Sequence, residues 1–409
     1  MKKNKKKINN SSNLWPMFSK EEAKEVYKVL LSNKVNYHTG NIGKKFELTY
    51  AKYIGTKYAL SFSNGTLALD AALNSLNIQA GDEVIVTCRT YIASVSSIIN
   101  CGAKPVFVDV GLDSQNIIPD LINRKITKKT KAIVCVHLAG MPCEMDKIKK
   151  ISRKHSLFII EDCSQAHGAK YKSNSVGSIG DIGTWSFCND KIISTAGEGG
   201  MVTFNKKSLY DSLWSFRDHG KSNKKFYKKN KNNKFVWLHD GFGTNARLTE
   251  IQSAIGLIQL KKLKSWNKKR KENFDRIDSV LNKFVAIRIV KIPDYVRHAY
   301  YKYYAFVIPN KLKKGWSRDK ILNEINVLGV NCFTGTCPEV YLENAFKKTN
   351  ILDKQFKRLP NAMELGETSL MFEVHPTLRE KDIKRTLLVI NKVMSKASDV
   401  KKYNGKLFK

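Results

Sequence analysis

The sequence predicts an α/β fold built on a parallel sheet, followed by a smaller α+β domain. Three observations lead there. Between about residues 58 and 205, short runs rich in Val and Ile alternate with stretches of helical periodicity. Those runs are apolar at consecutive positions, as strands covered by helices on both faces must be. Near Pro293 the texture changes, and a chain of 409 residues is too long for one ordinary core. The expected division is a basic tail over residues 1–13, a large α/β domain over 14–285 and a small α+β domain over 286–409.

Taken in order, the tail opens with KKNKKK at Lys2–Lys7, but the polar INNSSN that follows is not the apolar segment of a signal peptide. It is expected to be disordered. Ser19 and Glu22 form a capping-box pattern, with Ala23, Val26, Tyr27 and Leu30 at helical spacing behind it. The apolar Tyr58–Phe62 precedes an Ala/Leu-rich helix. Strands are then expected at Val84–Thr87, Pro105–Val110, Ala132–Val136, Leu157–Glu161 and Met201–Phe204. Residues 221–235 are rich in Lys and Asn and read as an exposed loop. Leu248, Ile251, Ile255 and Ile258 mark the buried face of a helix that runs toward residue 280. The small domain contains strand-like Tyr303–Ile308, a helix near Arg318–Leu328 and a last helix at Glu380–Lys396. No repeat of fixed period is present.

Composition narrows the function. The apolar stretches are strand-sized, far short of the roughly 20 residues needed to cross a bilayer, so a cytoplasmic protein with no membrane partner is expected. Eight scattered cysteines with no CxxC pair fit a reducing compartment and argue against a zinc site; no metal is expected. The 72 Lys and Arg against 36 Asp and Glu give a formal charge of +36, which favours anionic partners. The excess is spread along the chain and no nucleic-acid module is visible, so nucleic acid is not the expected partner.

Chemistry is sought where strands end, because ligands of open parallel sheets sit beyond the strands' carboxyl ends. Ser63-Asn64-Gly65-Thr66 follows an apolar run and opens a helix, so its N–H groups can hold a phosphate. Glu161-Asp162 closes the run LFII with carboxylates. Lys191 lies between an apolar run and a glycine-rich turn, in SFCNDKIISTAGEGG. Each alone has a plain counterpart: a helix N-cap, a turn aspartate, a loop lysine. Together they are the three parts that pyridoxal 5′-phosphate requires: a phosphate cradle, a partner for the ring nitrogen and an amine for the aldehyde.

The stretches SNGTLAL, GDEVIV, TYIAS, HLAGMPCEMD, EDCSQAHGAKY, SIGDIGTWSFCNDKIISTAGEGGM and GFGTNARLTEIQSAIGLIQL occur in this order. With them the chain resembles the DegT/StrS-type sugar aminotransferases, of the aspartate-aminotransferase fold (type I), from about Trp15 to the last helix. The resemblance implies a mostly parallel seven-stranded sheet between helices. It implies that Lys191 holds the cofactor's aldehyde covalently and carries the proton, and that Asp162 pairs with the ring nitrogen. Gly65, Thr66 and the Ser186 hydroxyl would bind the phosphate, Tyr91 would stack on the ring, and Gln165 would lie beside its phenolic oxygen. Asn245 matches a position that reaches the phosphate from a second subunit, which implies a homodimer with shared sites; its plain counterpart is a helix N-cap. Arg247 would face the donor carboxylate or form an ion pair at the helix start, and His298 would lie toward substrate in the second domain.

The activity so implied is transfer of an amino group from glutamate to a keto carbon of a nucleotide-linked deoxy sugar, for surface polysaccharide. Cys188-Asn189-Asp190 departs from the His-Pro that many members carry ahead of the lysine. A sugar dehydratase or lyase is the alternative enzyme, but members of that kind replace the lysine with histidine. A basic nucleic-acid-binding regulator is the alternative from another class.

Overall fold

The structure, a computed structural model, describes residues 15–228, 235–352 and 355–401. The tail expected at residues 1–13 lies outside them. Helix α1 (Lys20–Leu31) begins where expected, with the Ser19 N–H donating to Glu22 at 2.8 Å. Helix α2 (Ile42–Ile54) follows, then strand β1 (Tyr58–Phe62) and helix α3 (Gly65–Ser75). Strands β2 (Glu83–Thr87), β3 (Lys104–Val108), β4 (Thr130–Val136), β5 (Phe158–Asp162), β6 (Ile182–Ser186) and β7 (Gly200–Phe204) complete one sheet. Its order is β1-β7-β6-β5-β4-β2-β3.

Alternate residues of each strand enter different cores, which is why the strands read as continuous apolar runs. Val84 and Val86 pack with Leu60, Val134 and Ile160 on one face; Ile85 packs with Val108, Ile133 and Ile159 on the other. The pairs from β6 through β5, β4 and β2 to β3 are parallel. The seven-stranded sheet is mostly parallel, as expected, and strand β7 alone is reversed, antiparallel to both β1 and β6. Residues 187–199 join β6 to β7 without a crossover helix, so the chain can only return in the opposite sense. The ends of β1, β2, β4, β5 and β6 and the start of β7 therefore meet along one edge.

The helix Glu250–Leu281 is capped by Thr249, which accepts from the Gln252 N–H at 3.3 Å. Its early turns place Leu260 and Leu263 beside Phe46, Tyr50 and Trp185. Its late turns place Phe274, Ile277 and Leu281 in a second core with Tyr303, Ile325, Phe372 and Ile390. That core lies under a four-stranded antiparallel sheet, ordered Ile287–Ile289, Tyr303–Val307, Ser369–Phe372, Cys332–Phe333, with helices Arg318–Val327 and Glu380–Ala397. The expected loop at 221–235 is in part a short helix, Asn223–Tyr227. Phe226 gives it something to bury, packing 4.7 Å from His38 and 5.7 Å from Trp214 between ring centres; residues 229–234 lie outside the described set.

A buried ion pair ties α2 to β1 and to the helix Lys207–Arg217. Arg217, 1% exposed, donates to Glu47 at 2.6 Å and to the Ser61 carbonyl at 3.0 Å. Glu47 also accepts from the Ser61 N–H at 2.8 Å and the Tyr37 hydroxyl at 2.9 Å. Replacing only one member strands a charge in the interior. Glu47→Gln is expected to lower the unfolding free energy by about 3 kcal/mol in a denaturant titration, and a loss within ~0.5 kcal/mol would show that the pair is dispensable.

Candidate active site

At the edge where the strand ends meet, an open cavity of about 580 Å³ is lined by Gly65, Thr66, Tyr91, Asp162, Gln165, Ser186 and Lys191. Seven of the residues singled out in the sequence thus converge, from four of the stretches quoted above. The start of α3 is pressed against the sheet. A Cβ on Gly65 would come 2.7 Å from Ser186 Cβ, and one on Gly200 would come 2.3 Å from the Asn64 carbonyl oxygen. Asn64 caps α3 by accepting from the Leu67 N–H at 2.9 Å. The N–H groups of Gly65 and Thr66 find no acceptor among the described residues and open toward the cavity at the positive end of a helix dipole. With the adjacent Ser186 hydroxyl they form a donor set suited to a phosphate.

Asp162 ends β5 and is 6% exposed. The Ser94 hydroxyl donates to one of its oxygens at 2.7 Å and the Ser164 N–H to the other at 3.1 Å, which fixes the carboxylate plane. Thr90 stands 2.9 Å behind Ser94. Both line the cavity, and the sequence reading passed over them although Ser94 lies within TYIAS. Gln165 accepts from the Ala139 N–H at 2.7 Å, so its amide is held at the wall. Tyr91 is 67% exposed at the mouth, an aromatic face left open for a ring.

Lys191 directs its amine to Asp190, 3.3 Å away, and over the Tyr301 ring, 5.4 Å from its centre. The donor set therefore fits pyridoxal phosphate: free N–H groups for the phosphate, an oriented carboxylate opposite, and an amine between them. The three remaining candidates do not line this cavity. Asn245 is exposed and is not a helix N-cap, since that place belongs to Thr249. Arg247 forms an ion pair with Asp218, which also holds His38 at 2.7 Å. His298 is buried against Phe274 and Tyr300, its Nδ1 accepting from the Tyr300 N–H at 2.8 Å, and burial pushes its pKa down to about 3.

Beside Asp162, Glu161 points to the opposite face with no exposure at all. It accepts from the N–H groups of Gly177, Ile179 and Gly180 at 2.6–2.9 Å and meets His137 Nε2 at 3.0 Å. His137, Glu161 and Cys163 stand close enough to hold a metal. Yet the His137 Nδ1 lone pair already accepts from the Cys143 N–H at 3.0 Å, so the trio reads as a hydrogen-bonded core. Burial alone would raise the pKa of Glu161, but the bonds from His137 and the backbone outweigh it and hold the group below the ordinary 4.5. Its contribution to stability is thus complete above about pH 4.5 and is lost as pH falls through the lower folded value. Glu161→Gln is expected to be less stable at pH 7 and to flatten the acid limb of the stability profile by up to ~1.4 kcal/mol per pH unit; equal acid slopes in variant and parent would refute this.

The family model described as the DegT/DnrJ/EryC1/StrS aminotransferase family matches residues 16–393. A GDP-perosamine synthase of Escherichia coli O157:H7 is 44% identical over 248 residues, 61% of this chain and 65% of that relative's length. A GDP-perosamine synthase of Caulobacter vibrioides is 33% identical over 86% of this chain and 89% of its own. The crystal structure of an aminotransferase from Psychrobacter cryohalolentis superposes with a TM-score of 0.90 at 50% identity, covering 93% of this chain and 98% of that one. With a match along nearly its whole length and the cavity at the expected edge of the expected sheet, the chain belongs to the DegT/DnrJ/EryC1/StrS aminotransferase family.

Proposed function

We propose that the protein is a pyridoxal-phosphate-dependent aminotransferase that moves an amino group from L-glutamate to a keto carbon of a nucleotide-linked sugar, in the making of amino sugars for polysaccharide. The observation that carries this reading is the convergence of Lys191, Asp162 and the unpaired N–H groups of Gly65 and Thr66 on one cavity. When bound, the cofactor supplies an aldehyde to take the amino group and a ring that accepts electrons from the breaking bond. Gly65, Thr66 and Ser186 hold its phosphate. Asp162, kept in plane by Ser94 and Ser164, would pair with the ring nitrogen and hold the proton there. Tyr91 would cover the ring face from the open side, and Gln165 would stand beside the ring edge.

Lys191 Nζ would anchor the cofactor at rest and, as a free amine, would carry the proton between the donor's α carbon and the carbon that had been the cofactor's aldehyde. The same amine would move the proton in the opposite sense for the sugar ketone. The excess of Lys and Arg gathers a substrate carrying a diphosphate, an effect that weakens with salt. The relatives named for a nucleotide-linked amino sugar support this class of acceptor. Asn245 lies exposed and outside the cavity of its own chain, and Phe242 and Trp237, a few positions earlier in the sequence, are also exposed. This supports a homodimer in which Asn245 reaches the phosphate of the second copy. The eight cysteines stand unpaired, in keeping with the cytoplasm as the site of action.

Adding pyridoxal phosphate to the purified protein is expected to produce a visible absorption band that L-glutamate shifts to the amine form of the cofactor. Lys191→Ala is expected to lose the band and at least ~10³-fold of the turnover with a nucleotide-linked keto sugar. Borohydride reduction of the parent should leave the cofactor's mass on the Lys191 peptide, and undiminished turnover in Lys191→Ala would overturn the assignment.

A further inference from the structure

The residue before the lysine, Asp190, is the one that meets the lysine's amine. One carboxylate oxygen of Asp190 lies 3.3 Å from Lys191 Nζ, and the other accepts from the Tyr301 hydroxyl. Tyr301 cannot follow the loop, because its ring is buried and its backbone is held twice. Its N–H donates to the Ala139 carbonyl at 3.1 Å, and its carbonyl accepts from Arg270 at 3.1 Å. Arg270 lies 4.9 Å from the Trp15 ring centre, and the Trp15 indole N–H donates to the Lys191 carbonyl at 2.7 Å. Both ends of Lys191 are therefore tied into one closed circuit: backbone to Trp15, side chain to Asp190 and Tyr301.

We propose that Asp190 and Tyr301 are positioning residues that dock the Lys191 amine, as an ammonium, against one wall of the cavity whenever it is not joined to the cofactor. The proposal rests on Lys191 being the residue that anchors the cofactor. Docking has a chemical use. An amine released on a flexible stem would swing among the cavity's other acceptors, whereas one held at a carboxylate returns its proton along a fixed path. Asp190 is suited to this, since its side chain is 55% exposed to the cavity while burial of its inner part is outweighed by Lys191 and Tyr301, which keep it ionised below the ordinary carboxylate range. The other charges facing the amine are Asp162 and Glu198 across the cavity and the cations Lys302 and Arg270 beyond Tyr301. Cys188 stands on the same loop, and His167 on the far side is neutral, burial pushing its pKa down to about 3. None of these touches Nζ through a salt bridge; Asp190 does.

The test uses the full-length protein without added cofactor and reads how fast an amine-acylating reagent modifies Lys191, by peptide mass mapping across pH. Loss of the carboxylate charge removes the group that favours the ammonium, so in Asp190→Asn the midpoint of Lys191 labelling should fall by about one pH unit, with Asp190→Glu restoring most of it. Tyr301→Phe should move the midpoint in the same sense by less. A midpoint unchanged in Asp190→Asn, with borohydride still fixing the cofactor to Lys191, would overturn the dock while leaving the aminotransferase reading intact. Cofactor fixed on another lysine in the parent protein would overturn that reading itself, and the dock with it. Asp190 lies in a half-exposed loop, and far-UV circular dichroism of each variant verifies that the fold is kept.

Discussion

A carboxylate sealed from water, Glu161, is the constraint on which the candidate site depends. An isolated charge there would cost several kcal/mol, and it is tolerated because three backbone N–H groups and an imidazole surround it. Those bonds draw residues 177–180 and the end of β4 against the end of β5. Since neighbours on a strand face opposite ways, fixing Glu161 on one side fixes Asp162 on the other, at the cavity wall. The site's own carboxylate is thus aimed by a residue that does not touch the cavity. Two serine-derived bonds finish the aim from the front.

The amine arrives from a different direction. Residues 187–199 leave the sheet at β6 and return at β7, and the direction of β7 is what brings Gly200 against Asn64 and closes the floor beneath α3. The helix Glu250–Leu281 then joins the sheet's core to the second core, supplying Arg270 between them. Anion cradle, carboxylate and amine are three separate pieces of chain held by three separate packing arrangements, a division that suits a cofactor gripped at several points.

What could be read in the sequence follows from physics of short range. Strands buried on both faces leave runs such as AIVCV and LFII, and caps such as Ser19/Glu22 act within one turn, so elements were legible. The strand-end rule then pointed to Gly65, Thr66 and Asp162, which line one cavity together with Lys191. The antiparallel sense of β7 was not legible, because apolar content is the same in either direction. Nor was the contact of Asp190 with Tyr301, 111 residues apart, where the sequence offers only an ordinary loop acid and a tyrosine in an aromatic cluster. His298 belongs to that same cluster, and its aromatic neighbours account for its place.

The bond between Trp15 and the Lys191 carbonyl spans 176 residues. On a ribosome adding about 5–20 residues per second, the indole is made roughly 9–35 s before its acceptor exists. During that interval the first segment must wait, and the long helix that carries Trp266 and Arg270, its other companions, comes later still. The backbone of the lysine is therefore secured only when the first segment, the loop after β6 and the long helix have all been made, so this one bond makes the amine's anchorage depend on chain spread over more than half of the sequence.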